Sequence, residues 1–146
     1  MIIRRFKKED VEQLIRISKK NVEELTGWEP ESKKFFLKLA SKDKDMIWIA
    51  EDKKKILGYL VGDKIKRINI LGEKTEGIEL ATVFVLKEFR AKGIATKLIR
   101  QFEKAMKQRK EKGIFCYANE KSINLLKSLG YKQTCFYLQK CSSREH

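Results

Sequence analysis

The first third of the chain changes from a strand-like pattern to a helical one. MIIRRF at residues 1–6 predicts a short strand. Asp10 is a good helix-capping residue and precedes 11–25, which we predict to be a helix broken by Gly27. Its apolar positions recur at near-helical spacing: Val11, Leu14, Ile15 and Ile17. Pro30 predicts the start of a second helix, whose apolar residues are Phe35, Phe36, Leu37 and Leu39.

The middle third has the pattern of strands. MIWIAED at 46–52 and ILGYLVGDKI at 56–65 flank a Lys-rich turn, which predicts a β-hairpin. Residues 66–77 are polar and contain glycines, so we predict a loop there. Residues 78–85 are almost continuously apolar, which is typical of a central strand buried on both faces.

The last third begins with the clearest helical pattern of the chain, over residues 93–110. Its apolar stripe is formed by Ile94, Leu98, Ile99, Phe102, Ala105 and Met106. A strand at 114–118, a short helix at 120–129 that stops at Gly130, and a last strand at 131–139 follow.

The predicted order of elements is β-α-α-β-β-β-α-β-α-β. This order favours an α+β fold with a mixed central sheet flanked by helices. The chain has no internal repeat, no low-complexity linker and a single proline. We therefore expect one domain over residues 1–146, with a frayed tail at 141–146.

The composition narrows the function classes. The net charge is +14, so the surface should attract polyanions, whether nucleic acid or a nucleotide cofactor. No window of 18 or more apolar residues is present, so we expect no membrane span. The N-terminal segment lacks the apolar stretch of a signal peptide, which favours the cytoplasm.

The number and positions of the cysteine and histidine residues disfavour a metal site or a catalytic pair built from them. Cys116, Cys135 and Cys141 have no C-x-x-C spacing, and the sole histidine is the terminal His146. We therefore expect no metal site and no Cys-His or Ser-His catalytic pair. Cys116 lies in an apolar run and should behave as a small core residue.

The stretch VLKEFRAKGIATKL at 85–98 places a basic loop between a strand and a helix. A surface turn is one interpretation. The other is a phosphate cradle, because the first amides of a helix lack internal partners and the helix dipole is positive there. Gly93 would let a phosphate approach the backbone, since it has no Cβ. Arg90 and Lys92 would add positive charge, and Thr96 a hydroxyl.

A second stretch, ANEKSINLLKSLGYK at 118–132, runs from Asn119 through a short helix to a Gly-Tyr pair. Taken together, the two stretches resemble the GNAT (general N-acetyltransferase) superfamily, which uses acetyl-coenzyme A. The RxxGxA loop from Arg90 to Ala95 resembles its pyrophosphate loop. The resemblance implies the GNAT-like fold, with a mixed, mostly antiparallel sheet, and its specific motifs lie within 78–132.

The resemblance also implies where the cofactor lies. The sheet opens after the fourth strand, and the pantetheine arm pairs there with backbone groups of Phe84 and Val85, with Val83 close by. The diphosphate rests on the amides of Arg90, Ala91, Lys92, Gly93, Ile94, Ala95 and Thr96. Asn119 touches the cofactor from the far side of the cleft.

Acetyl transfer needs a base for the amine, a donor for the thioester oxygen and a way to protonate the leaving thiolate. Glu79 lies in an apolar strand, where a carboxylate is costly unless it is paired or hydrated, so it is our candidate base. A surface ion pair is the alternative. The family suggests that the Val85 amide donates a hydrogen bond to the thioester oxygen. The family often has a tyrosine that protonates the leaving thiolate, and its position in this chain is Leu126. Tyr117 or water would then protonate the thiolate.

The leading hypothesis is an acetyl-coenzyme A-dependent N-acetyltransferase that works by direct attack in a ternary complex. The acceptor is an amine on a peptide or a small molecule: a protein N-terminus, a lysine or a small amine. In the family, residues 9–40 and 66–77 build the acceptor side.

Two alternatives stay open. One is a non-catalytic acyl-coenzyme A sensor, which the leucine at position 126 favours. A basic nucleic-acid-binding domain is disfavoured, because no nucleic-acid motif accompanies the charge. The sequence also leaves an oligomer open, for example through the predicted last strand at 131–139.

Overall fold

A computed structural model describes residues 1–24, 29–68 and 71–133. Five strands are present in these ranges: β1 (Ile2–Arg5), β2 (Ile47–Asp52), β3 (Lys55–Ile68), β4 (Lys74–Val85) and β5 (Ile114–Phe115). The α-helices are α1 (Val11–Glu24), α2 (Lys33–Lys42), α3 (Ile94–Gln108) and α4 (Ile123–Ser128). Short 3-10 turns precede α1 at Lys8–Asp10 and follow β4 at Lys87–Phe89.

The five strands form one sheet in chain order, β1-β2-β3-β4-β5. The first three pairs are antiparallel and the β4–β5 pair is parallel. A parallel neighbour requires a crossover connection, which α3 provides. The prediction of an α+β fold with a mixed, mostly antiparallel sheet is therefore confirmed.

The predicted hairpin between β2 and β3 is also confirmed. Asp52 pairs with Lys55, so only Lys53 and Lys54 form the turn. Both have positive φ, 47° and 65°. Two left-handed residues in succession make the tight turn that fits the twist of a hairpin.

The predicted helix starts need correction. The Asp10 carboxylate lies in the 3-10 turn, where it accepts the Lys7 N–H (2.7 Å) and binds Arg4, instead of capping α1. The second helix begins at Lys33 and not at Pro30. The Ser32 hydroxyl oxygen accepts the N–H of the third residue of α2 (3.1 Å), which is the usual geometry of an N-cap. The predicted break at Gly27 lies outside the described residues.

The predicted loop at 66–77 is wrong for most of its length. β3 continues to Ile68 and β4 begins at Lys74, so this polar segment forms a hairpin that extends beyond β5. Lys66 and Glu76 lie opposite each other and form an ion pair of 3.6 Å. Lys66, Lys74 and Glu76 are exposed, and a polar strand of this kind has no apolar alternation, so the pattern missed it.

β4 contains a bulge at Ala81. Val61 pairs with Thr82 and Gly62 pairs with Leu80, which leaves Ala81 without a partner on β3. Ala81 is exposed, so the expectation of a strand buried on both faces holds only in part.

The core lies on both faces of the sheet. On one face the predicted stripe of α3 is buried at all six positions, together with Trp48 and Leu60. On the other face α1 and α2 cover Tyr59, and Leu14 and Phe36 are fully buried there. The apolar periods of α1 and α3 therefore predicted the packed faces correctly.

The C-terminal elements are shorter than predicted. β5 ends at Phe115 because it pairs only with Ile78 and Glu79 of β4. α4 begins at Ile123 and ends before Gly130, which has φ +93°. Residues 131–133 are not in a strand, and the rest of the predicted last strand, with Cys135, Cys141 and His146, lies outside the described residues. None of the helices in the described ranges is long and apolar enough to cross a membrane.

Candidate active site

The second half of β4 has an edge that β5 does not cover. The Leu86 N–H donates to the Leu57 carbonyl oxygen (2.8 Å), which makes Val85 and Gly58 a non-hydrogen-bonded pair. The same alternation applies to Val83. The N–H and C=O groups of Val83 and Val85 therefore point away from β3, towards the edge beyond the end of β5.

Phe84 lies between these two residues and points its backbone the other way. It is opposite Tyr59, in a hydrogen-bonded pair of the ladder. Its side chain is buried, with the ring 6.3 Å from the ring of Tyr59. The open edge thus consists of Val83 and Val85, whereas Phe84 supports it from the β3 side.

The loop after β4 ends in a left-handed turn at Gly93. Its φ is +77°, a conformation that L side chains rarely adopt. No heavy atom beyond its chain neighbours lies within 4 Å of the place that a Cβ would occupy. Gly93 therefore meets the backbone requirement of the turn and leaves open space in front of α3.

The N-terminus of α3 faces this space. Its first intrahelical bond runs from the Lys97 N–H to the Gly93 carbonyl oxygen (3.1 Å). The amides of Ile94, Ala95 and Thr96 precede that bond and remain for a ligand or water. With the positive end of the helix dipole, they form a site suited to an anion.

Two lysines surround Phe89 beside this site. The Lys92 Nζ lies 5.5 Å from the centre of the Phe89 ring, and the Lys55 Nζ lies 5.0 Å from it. Both ammonium groups contact the ring by cation–π attraction. Lys92 is exposed, as its predicted role beside a phosphate requires.

The Arg90 side chain is engaged by α1 and by β4. Its Nε donates to the Val85 carbonyl oxygen (2.8 Å), and its Nη2 donates to both carboxylate oxygens of Glu24 at 2.8 Å. The guanidinium lies 5.2 Å from the centre of the Phe84 ring. The charge that the sequence suggested for a phosphate is thus directed towards α1. Ala91, the next residue, has the left-handed φ of 60°.

Glu79 lies where three strands meet. It is opposite Asp63 on β3 and Phe115 on β5, so these side chains share one face of the sheet. Burial, and then the charge of Glu79, raise the pKa of the Cys116 thiol to about 11. Like charges directly opposite in a sheet are destabilising, so Asp63 and Glu79 are not explained by stability.

Asp63 was missed by the sequence reasoning. It falls in the predicted strand at 56–65, but no motif marks it. The signal that could have found it is the hairpin register, which puts the two carboxylates side by side only when the bulge at Ala81 is counted.

The remaining predicted residues lie around the end of β5. Tyr117 follows β5 and is 64% exposed, and Leu126 is buried in the core. The Asn119 Oδ1 accepts the N–H groups of Lys121 and Ser122, both at 3.0 Å, so Asn119 caps the turn before α4. Its contact with a cofactor stays a prediction, as does the role of Tyr117. Tyr131 packs against the core.

In the described part of the chain, no group of three or more His, Cys, Asp or Glu side chains is placed so that it could hold a metal ion.

The family follows from comparison with known proteins. The model of the Acetyltransferase (GNAT) family matches residues 9–131. The chain belongs to the GNAT acetyltransferase family, and the resemblance drawn from the sequence is confirmed.

Relatives and solved structures agree. An uncharacterized N-acetyltransferase of Archaeoglobus fulgidus is 33% identical over 108 residues, which cover 69% of this chain and 70% of that protein. A predicted acetyltransferase of Clostridium acetobutylicum, solved with acetyl-CoA, has a TM-score of 0.75 at 19% identity and covers 96% of this chain and 95% of its own. Naa20 of Chaetomium thermophilum, solved with a bisubstrate analogue, has a TM-score of 0.70 at 24% identity, with 88% and 70% coverage. At these identities, the two structures show the fold.

Proposed function

We propose that this protein transfers the acetyl group of acetyl-CoA to an amine. The observation that carries the proposal is the open edge of β4, at Val83 and Val85, in the strand that leads through the left-handed turn at Gly93 to the N-terminus of α3. A pantetheine arm has amide groups that can pair with such an edge, and a diphosphate suits the helix N-terminus. The Clostridium neighbour of the same fold was solved with this cofactor.

The reaction needs no covalent enzyme intermediate. An ammonium acceptor first loses a proton to Glu79, directly or through water, and its nitrogen then attacks the thioester carbonyl carbon. The Val85 N–H, at the open edge, would hold the oxygen as negative charge develops on it. The C–S bond breaks, the acetyl group stays on nitrogen, and the nitrogen releases its excess proton to solvent. The thiolate takes a proton from solvent or from Tyr117, which solvent then reprotonates.

The acceptor is proposed to be a cationic amine. Asp63 and Glu79 lie opposite each other on one face of β3 and β4, in a chain whose net charge is +14. Two carboxylates in such a surrounding attract an ammonium group and repel an anionic acceptor. A peptide amine and a small polyamine both fit this description. A cytoplasmic location and an oligomeric state stay predictions.

A non-catalytic acyl-CoA sensor is the second candidate. One observation favours it. The family often has a tyrosine that protonates the thiolate, and its position in this chain is Leu126, an apolar residue buried in the core.

The test combines binding with turnover. Acetyl-CoA is titrated into the protein by calorimetry, and thiol release is then followed with cationic amines, neutral amines and a short peptide. Binding together with thiol release that prefers cationic acceptors supports the transferase. Binding without release from any amine supports the sensor, and no binding overturns both.

A further inference from the structure

The last two turns of α1 carry a row of polar side chains. Ser18, Asn21 and Glu24 follow one another at intervals of three residues, and we call them the polar row of α1. The Ser18 hydroxyl hydrogen-bonds the Glu31 carboxylate and accepts the Glu31 N–H (3.2 Å). The Asn21 Nδ2 donates to the Tyr59 hydroxyl oxygen (3.2 Å). The row therefore ties the end of α1 to the segment before α2 and to β3.

The third member of the row reaches the cofactor loop. The Glu24 carboxylate accepts from Arg90, whose Nε also binds the carbonyl of Val85 and whose guanidinium stacks on Phe84. One arginine thus contacts the end of α1 and the last residues of β4. It takes one of the two acceptor positions of the Val85 carbonyl oxygen.

We propose that Arg90 is a positioning residue that holds the acceptor-side helix α1 against the open edge of β4, and that it does not bind the diphosphate. This inference rests on the proposed function, with the cofactor along Val83 and Val85, and on the expectation from the family that residues 9–40, which include α1, build the acceptor side. The Nε and Nη2 donors of Arg90 are engaged by the Val85 carbonyl and the Glu24 carboxylate, so the guanidinium is held between β4 and α1.

The exposure of the Glu24–Arg90 ion pair indicates that it positions α1 and adds little to the stability of the fold. The side chains of Glu24 and Arg90 are 35% and 40% exposed, and an ion pair of that kind contributes little to folding. Ser18 and Asn21 are buried, so they fix the helix about two turns and one turn before Glu24, respectively. Loss of the Glu24–Arg90 pair should therefore shift the end of α1 while the fold stays intact.

The experiment compares Arg90→Gln, Glu24→Gln and the double variant with two controls on α1. Glu23→Gln removes a neighbouring exposed carboxylate, and Arg16→Gln removes an exposed guanidinium. Three quantities are measured: the acetyl-CoA Kd, the acceptor KM and kcat, and amide hydrogen exchange at residues 21–24.

Positioning predicts the same result for both single variants. The acceptor KM rises roughly tenfold, because small displacements of a binding wall are costly, while the acetyl-CoA Kd changes less than about threefold. The double variant loses no more than either single one. Exchange at residues 21–24 becomes faster, and the controls behave like wild type.

Two results would overturn the inference. One is a weaker acetyl-CoA affinity in Arg90→Gln that Glu24→Gln does not share, which would return Arg90 to the diphosphate. The other is unchanged exchange at the end of α1 in both variants. The exchange measurement needs neither substrate, so it decides the inference even if the wild-type protein fails to bind acetyl-CoA and the proposed function falls.

Discussion

The two halves of β4 have the same backbone pattern but different neighbours. Before the bulge at Ala81, Ile78 and Glu79 are paired with β3 on one side and with β5 on the other. After the bulge, Val83 and Val85 keep β3 but have no strand of the described residues on their other side. The first half is therefore paired on both edges and carries the Glu79 carboxylate, whereas the second half has backbone groups that face no strand of the described residues.

This difference assigns separate tasks to the two halves. A strand paired on both edges holds Glu79 and its neighbour Asp63 at a fixed position, as a catalytic base requires. A strand with one free edge can accept an extended ligand as an additional partner. The bulge re-aims the side chains between the two halves.

The largest expected effect comes from the closed half. Glu79→Gln should lower kcat by about a hundredfold or more, because a positioned base contributes on that scale, and should leave the acetyl-CoA Kd almost unchanged. Calorimetry and thiol release measure the two quantities on one preparation. Asp63→Asn is the matched control, expected to raise the acceptor KM more than it lowers kcat. Equal kcat in Glu79→Gln and wild type would remove Glu79 from the mechanism.

The second effect concerns the anion site at the end of the open half. Gly93→Glu should weaken acetyl-CoA binding by at least about tenfold more than Gly93→Gln. Both variants place a side chain of equal size on the same left-handed backbone, so the difference between them isolates the charge. Titration calorimetry at two salt concentrations measures it. Equal losses would mean that backbone strain, and not a bound phosphate, explains the role of Gly93.

A smaller effect is expected on the reactivity of the Cys116 thiol, which responds to the charge of Glu79. Burial and Glu79 raise the pKa of Cys116 to about 11, so its thiol should react slowly with a disulfide reagent at pH 8. Glu79→Gln should lower that pKa and speed the reaction by roughly two- to fivefold. The assay uses a Cys135→Ser, Cys141→Ser background, so that only Cys116 is read. An unchanged rate would place Glu79 too far from Cys116 to match the structure.

The raised pKa of Cys116 also predicts how the free energy of unfolding changes with pH. A thiol whose folded pKa lies above its ordinary value of 9.0 favours the folded state below pH 9. That contribution is lost as the pH rises from 9 to about 11, because the unfolded chain deprotonates first. In the same background, Cys116→Ala should flatten this part of the curve of unfolding free energy against pH.

The smallest effect lies in the loop between the open half and α3. Ala91 has a φ of 60°, which costs an L residue about 1 kcal/mol. Ala91→Gly should therefore raise the free energy of unfolding by about 0.5 kcal/mol after the entropy of glycine is subtracted. Ala95→Gly, in the first turn of α3, should have the opposite sign. Denaturant unfolding measures both, and equal signs would contradict the strained turn at Ala91.

The sequence predicted what periodicity and local chemistry determine. The stripe of α3, the turn at Lys53 and Lys54, and the loop that ends at Gly93 all follow from residues close together in the chain. The extended β3–β4 hairpin was missed, because a polar strand has no apolar alternation. The opposition of Asp63 and Glu79 and the direction of the Arg90 side chain were missed too, since both depend on contacts distant in sequence.

The most direct test of the account is the exchange of single backbone amides in β4, followed by NMR with and without acetyl-CoA. The free protein should exchange the amides of Val83 and Val85 quickly and that of Phe84 slowly, because only Phe84 donates to β3. Saturating acetyl-CoA should slow Val83 and Val85 and leave Phe84 unchanged. If acetyl-CoA binds and these two amides still exchange at their original rates, the open edge of β4 is not where the cofactor lies.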